Sequence, residues 1–146
     1  MVPQKRRCDS IDNGVEAVER AASFVQGATV LPAVVYCGAE LLAPGRSWHD
    51  GMERFLVPEG EAGRRFAECF ASPLAKVRAR SDFTTQAWRK LGTNVAGNGL
   101  AALTGRLTDA LRAPELGAVA RALVAECFTV GAVEGRRSTR PMRPPS

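Results

Sequence analysis

A chain of 146 residues, 45% hydrophobic, can bury one real core but is short for two full-sized domains. Its net charge of +5 suggests a nucleic-acid partner until the charges are located: Lys5, Arg6 and Arg7 with Arg136, Arg137, Arg140 and Arg143 lie in the two tails, and without them the chain stands at −2. A folded surface with general affinity for phosphate backbones is thereby excluded. Cys8, Cys37, Cys69 and Cys127 form no Cys-x-x-Cys pair and have no neighbouring histidine, which argues against zinc and for reduced thiols in a cytoplasmic protein.

Residues 1–10 read as a basic tail with no apolar run behind it, hence no signal peptide. No stretch is expected to reach the roughly 20 apolar residues that span a bilayer, so no membrane is expected as a partner. Asp12-Asn13-Gly14 is a turn opening a helix, with Asn13 as cap, Glu16 three residues on, an apolar face of Val15, Val18, Ala22 and Val25, and Gly27 as its end. Ala28–Cys37 is β-branched and apolar, which suits a buried strand, although Pro32 argues for an edge or an irregularity. Asp50-Gly51 between Ser47–His49 and Glu53–Val57 suggests a hairpin. Glu61–Ala71 has an amphipathic helix period, and Leu74–Arg80 alternates as a strand with Lys76, Arg78 and Arg80 on a wet face.

From Ser81 the pattern is helical to Gly105, with Trp88, Leu91, Val95 and Leu103 as the expected buried face. Pro114 starts a further helix reaching about Val133. Gly135–Ser146, basic and rich in Pro, carries no periodicity and is expected to be disordered. The order implies a mixed α/β fold: a small mixed sheet with helices, residues 11–80, followed by an α-helical segment, residues 81–134.

The candidate site lies in Ser81–Gly105. Lys90, Asn94 and Asn98 are four residues apart and make one polar stripe about 12 Å long, extended backwards by Gln86, with Gly97 and Ala101 leaving room beside it. A lysine alone would be read as solvated, but asparagine is a poor helix former, so two of them in register need a reason. The stripe suits a carbonyl, hydroxyl or carboxylate. Gly97-x-Gly99-x-x-Ala102 imitates a dinucleotide fingerprint but follows a helix instead of a strand, so it is set aside. His49, the only histidine, has no serine or carboxylate at an informative spacing and reads as a surface residue.

The segment SDFTTQAWRKLGTNVAGNGLAALTG resembles the start of the C-terminal domain of the ketopantoate reductase family (2-dehydropantoate 2-reductases), where Trp-x-Lys-Leu-x-x-Asn-x-x-x-Asn is followed by Leu-Thr-Ala-Leu. Upstream, IDNGVEAVERAASFVQGATVLPAVVYCGAELLAPG is similar to the end of that family's Rossmann-type cofactor domain. The resemblance covers Ile11–Glu134 and departs from the pattern at Gly99, a proline in the family, and Ala101, a threonine.

The resemblance implies NADPH-dependent reduction of the 2-keto acid ketopantoate to pantoate, a step towards coenzyme A. Lys90 matches the catalytic lysine acting as general acid, Asn94 and Asn98 the substrate-binding asparagines, and Asn13 the asparagine beside the nicotinamide. It also implies a truncated copy, without the Gly-rich nucleotide-binding motif or the later substrate-binding helices. The alternatives are a reductase of another 2-keto acid, or a non-catalytic module that associates as a homodimer or with a separate nucleotide-binding half.

Overall fold

The computed structural model describes residues 8–10, 15–25, 29–49, 51, 53–70, 75–106, 111 and 113–134, of which 8–10 and Ala17 by backbone alone. The chain divides into two units, Met1–Phe83 and Thr84–Ser146.

The first unit is built on two β-α-β steps. Strand β1 (Cys8–Ser10) pairs parallel with β2 (Val30–Pro32), with helix α1 (Ala17–Ala22) between them in sequence, since parallel strands need a crossover. Pro32 has no N–H to donate, and at Ala33 the chain changes partner: β3 (Val34–Tyr36) runs antiparallel to β6 (Arg54–Pro58). Helix α2 (Glu61–Cys69) then leads to β7 (Lys76–Arg80), parallel to β6, which completes a mixed sheet in the order β3-β6-β7. Leu31, Ala33, Val57 and Phe66 form the core, with Phe55, Ala62 and Val77 packed on it. Phe70 extends it by stacking on Phe66, ring centroids 4.7 Å apart.

Several expectations change here. Cys8–Ser10 is a strand and not tail. Helix α1 starts at Ala17 behind Glu16, which makes no side-chain cap bond, and Val18 and Ala22 of its expected apolar face are exposed. Asn13 lies outside the described residues. The hairpin is not built across Asp50-Gly51. It joins β4 (Ala39–Ala43) to β5 (Arg46–His49) through Pro44-Gly45, where Gly45 takes the positive φ of 75° that the second turn position needs. Pro-Gly was the stronger turn signal. Residues 54–58 take β3 and β7 as partners instead, because Leu56 and Val57 must be buried.

The second unit holds helix α3 (Phe83–Thr104) and helix α4 (Pro114–Val133), the latter with Pro114 in its first turn, where a missing N–H costs nothing. Helix α3 stops at Gly105, φ 65°, a left-handed C-terminal cap. Its buried residues are Ala87, Trp88, Gly92, Ala96 and Leu100. The expected face was rotated: Trp88 is buried, Leu91 and Val95 are half-buried, and Leu103 is 84% exposed. Small residues, not the large aliphatic ones, mark the buried side because the partner helix comes close. A Cβ at Gly131 would stand 2.9 Å from the Trp88 ring, and one at Gly92 2.8 Å from Phe128 Cε1. These two pairings run in opposite senses along the helices, so α3 and α4 are antiparallel.

Helix α4 corrects a further expectation. Its 20 residues include a window of mean hydropathy 1.6, only 11% of it buried, which by length and composition alone is enough to cross a membrane. Its alanines and valines supply much of that apolar character.

Two outcomes follow from this packing. At Gly63, a Cβ would sit 2.2 Å from the Pro58 carbonyl oxygen, which belongs to backbone and cannot swing aside. Gly63→Ala should therefore destabilise the chain by about 1–3 kcal/mol in denaturant titration. Burial also pushes the Cys127 thiol above its ordinary value of 9.0. A group whose native pKa is raised contributes stability that is complete below pH 9.0 and is lost as pH climbs through the raised value. The stability of the wild type relative to Cys127→Ala should accordingly fall in melts taken above that pH.

Candidate functional site

The start of α3 is fixed by a bidentate pair. Arg80, at the end of β7, donates from Nε to Asp82 Oδ1 (2.7 Å) and from its terminal nitrogen to Oδ2 (3.0 Å). That hydrogen bond and the charge of Asp82 raise the Arg80 pKa. Asp82 precedes the first residue of α3, where a negative charge complements the helix dipole.

Lys90, Asn94 and Asn98 all fall inside this continuous helix, so the structure places the three on one row, with Gln86 a turn earlier. The row lies on the side of α3 opposite the Trp88, Gly92 and Ala96 face. Exposure grades along it: Gln86, Lys90 and Asn94 are half-buried and Asn98 is exposed. Gln86 and Lys90 each have an interaction partner. Beside the row, a Cβ at Gly97 would meet only Leu111 Cδ1, at 3.8 Å. The arrangement can present an ammonium and two amides to a small polar ligand, one helical turn apart.

Other sequence candidates resolve differently. The Gly97-x-Gly99-x-x-Ala102 pattern lies inside α3 and opens no helix behind a strand, so it builds no pyrophosphate cradle; the described residues do not fit the phosphates of a dinucleotide. His49 does have a carboxylate, Glu53 Oε1 at 3.4 Å from Nε2, four residues on, which the sequence reading did not pick out. Among the described residues no three His, Cys, Asp or Glu side chains gather as a metal site. A cavity of about 440 Å³ in the first unit, lined by Thr29, Leu31, Glu61, Ala62, Arg65, Phe66 and Cys69, escaped the sequence reading and contains none of the row residues. Only the i, i+4 spacing of Glu61, Arg65 and Cys69 could have indicated it.

Fold and row together define an α/β unit of Rossmann type followed by helices that carry a lysine and two asparagines. Comparison with known proteins is specific on this point. The model for "Ketopantoate reductase PanE/ApbA" matches residues 2–62, and that for "Ketopantoate reductase PanE/ApbA C terminal" matches residues 82–143. The 2-dehydropantoate 2-reductase of Caulobacter vibrioides is 39% identical over 137 residues, 92% of this chain and 46% of that protein. The one from Mycobacterium tuberculosis is 37% identical over 138 residues, with 90% and 46% covered. A crystal structure of a PanE/ApbA family ketopantoate reductase from Ralstonia eutropha superposes with a TM-score of 0.71 at 33% identity, covering 87% of this chain and 43% of that one. The chain belongs to the ketopantoate reductase family, and it spans less than half the length of the curated relatives it matches.

The row has a cost that can be read. Asparagine in an exposed helix interior is less favourable than alanine by up to about 0.7 kcal/mol. Asn98→Ala should leave the fold intact and raise stability by a few tenths of a kcal/mol in urea titration, whatever it does to ligand binding.

Proposed function

We propose that this chain carries the substrate helix for the NADPH-dependent reduction of 2-dehydropantoate to pantoate, a cytoplasmic step of pantothenate synthesis. The observation that supports it is the Lys90-Asn94-Asn98 row on one unbroken helix, in a chain whose relatives are 2-dehydropantoate 2-reductases. In that reaction the keto oxygen gains negative charge as the carbonyl carbon is reduced. The Lys90 ammonium is the group on the row that can hydrogen-bond the oxygen and transfer a proton to it. Asn94 and Asn98 offer an amide N–H donor and a carbonyl acceptor each, which suits the carboxylate and hydroxyl of the same substrate. The amides orient the substrate and the lysine handles the proton. Asn13 is proposed to stand near the nicotinamide. NADPH supplies the hydride in such a reaction; the described residues provide no cradle for its phosphates, and no step through it is attributed to them.

Titration of the ¹⁵N-labelled chain with ketopantoate tests the reading. Shift changes should concentrate on Lys90, Asn94 and Asn98, and their absence would overturn it. Where NADPH oxidation is measurable, Lys90→Ala should slow it by about 10²- to 10⁴-fold, whereas Asn98→Ala should chiefly raise KM. A faster rate with another 2-keto acid would transfer the substrate assignment to that acid.

A second reading, in which the chain acts by association with itself or with a separate nucleotide-binding half, is favoured by the exposure of α4, whose apolar window is only 11% buried.

A further inference from the structure

The sheet β3-β6-β7 carries a cluster of cations that the reductase reading leaves unused. Its register sets Tyr36 opposite Arg54 and Arg54 opposite Lys76, so these three stand in one row across the sheet. Arg78, two residues beyond Lys76 on the same strand, shares their face. Arg54, Lys76 and Arg78 are all exposed. Neighbouring strands lie about 5 Å apart and alternate residues of one strand about 7 Å, so three positive charges are rooted within a patch of that size. The Arg54 guanidinium lies over the Tyr36 ring, 4.1 Å from its centroid, which orders its plane on the sheet.

Among the described residues no acid neutralises this trio. Glu53 pairs with His49 at 3.4 Å, and Asp82 holds Arg80 through two hydrogen bonds, with Glu59 also acting on Arg80. Like charges directly opposite on paired strands cost stability. Lysine and arginine commonly guard an edge strand against pairing with another chain, and β7 stands at the edge of the order β3-β6-β7. That accounts for Lys76 and Arg78 but not for Arg54, which sits on the middle strand. An apolar segment cannot cover the three, because two guanidinium groups and an ammonium need water or opposite charge wherever they lie. This holds whatever a longer chain would lay against the sheet.

The chemistry of the patch selects its ligand. Without its tails the chain stands at −2, so no positive field runs across the surface to hold a nucleic-acid backbone. A peptide would have to bring three carboxylates to one spot. A diphosphate brings about three negative charges in one small body, and its oxygens match the guanidinium fork. Tyr36 already carries Arg54 on its ring, where a base would otherwise stack. We propose that Arg54, Lys76 and Arg78 form a binding site for a diphosphate group, read through its phosphate oxygens and indifferent to what is attached to it. The proposal goes beyond the reductase reading and does not depend on Lys90.

The test is titration of the ¹⁵N-labelled full 146-residue chain with inorganic pyrophosphate, free of divalent metal, against sodium sulfate at matched ionic strength. Amide shifts should move at Arg54, Lys76 and Arg78 and saturate below about 10 mM, sulfate should bind more weakly by about threefold or more, and ADP should match pyrophosphate within about threefold. Arg54→Gln, Lys76→Gln and Arg78→Gln, each shown by circular dichroism to be folded, should weaken pyrophosphate about threefold or more. Lys76→Arg, which keeps the charge, should bind like the wild type, and Arg121→Gln in the second unit should change nothing. Absence of saturation, an equal response to sulfate, a larger preference for ADP, or an equal loss in Arg121→Gln would each overturn the proposal. Ketopantoate is titrated separately and read at the Lys90 row, so the two readings fail independently.

Discussion

The second unit depends on two aromatic rings that each occupy a gap left by a glycine on the facing helix. Trp88 of α3 lies over Gly131 of α4, and Phe128 of α4 lies over Gly92 of α3. Each glycine is costly in a helix interior, by roughly 1 kcal/mol against alanine, yet here any side chain would displace a ring. The exchange is reciprocal: whichever helix supplies the bulk at one level supplies the hollow at the next. This fixes the rotation of both helices. With Trp88 turned to α4, the row of Lys90, Asn94 and Asn98 must face the other way, and with Gly131 turned to α3, Ala118, Ala122, Ala125 and Ala132 of α4 must lie on its far side. Both orientations follow from one packing arrangement.

Much of the architecture was legible from local pattern because the relevant contacts are local. Pro114 and Gly105 mark helix ends by backbone chemistry that needs no tertiary partner, and the period of Glu61–Ala71 is strong enough to survive translation into α2. The row was legible for the same reason, since residues four apart share a face in any α-helix. What was not legible depended on partners remote in sequence. Strand β6 looked like half of a hairpin with β5, but Leu56 and Val57 are satisfied only between β3 and β7, one of them reached through a helix. The buried side of α3 was misjudged because hydrophobicity points to Leu103, whereas close approach selects Gly92 and Ala96. His49 and Glu53, at the end of β5 and just before β6, meet only in the folded chain.

The first unit shows how one residue organises a sheet boundary. Pro32 ends the pairing with β1 because it has no donor to continue it, and Val34 begins the pairing with β6 two residues later. A parallel strand pair and a mixed sheet are thus joined without a loop. Leu31, Ala33 and Val34, which straddle the change, are all buried. The proline that argued against a continuous strand is the point at which the chain passes from one sheet to the next.

The two tryptophans are unequal in a useful way. Trp88 is 8% exposed, its indole nitrogen buried without a partner among the described residues, while Trp48 on the β4–β5 hairpin is 59% exposed. One lies in each unit. An indole shielded from water emits at shorter wavelength than one in contact with it, so the chain carries two native optical labels of different colour. The blue component reports on the helix pair, the red one on the hairpin, and the order in which they change during unfolding separates the two halves of the molecule with no label added.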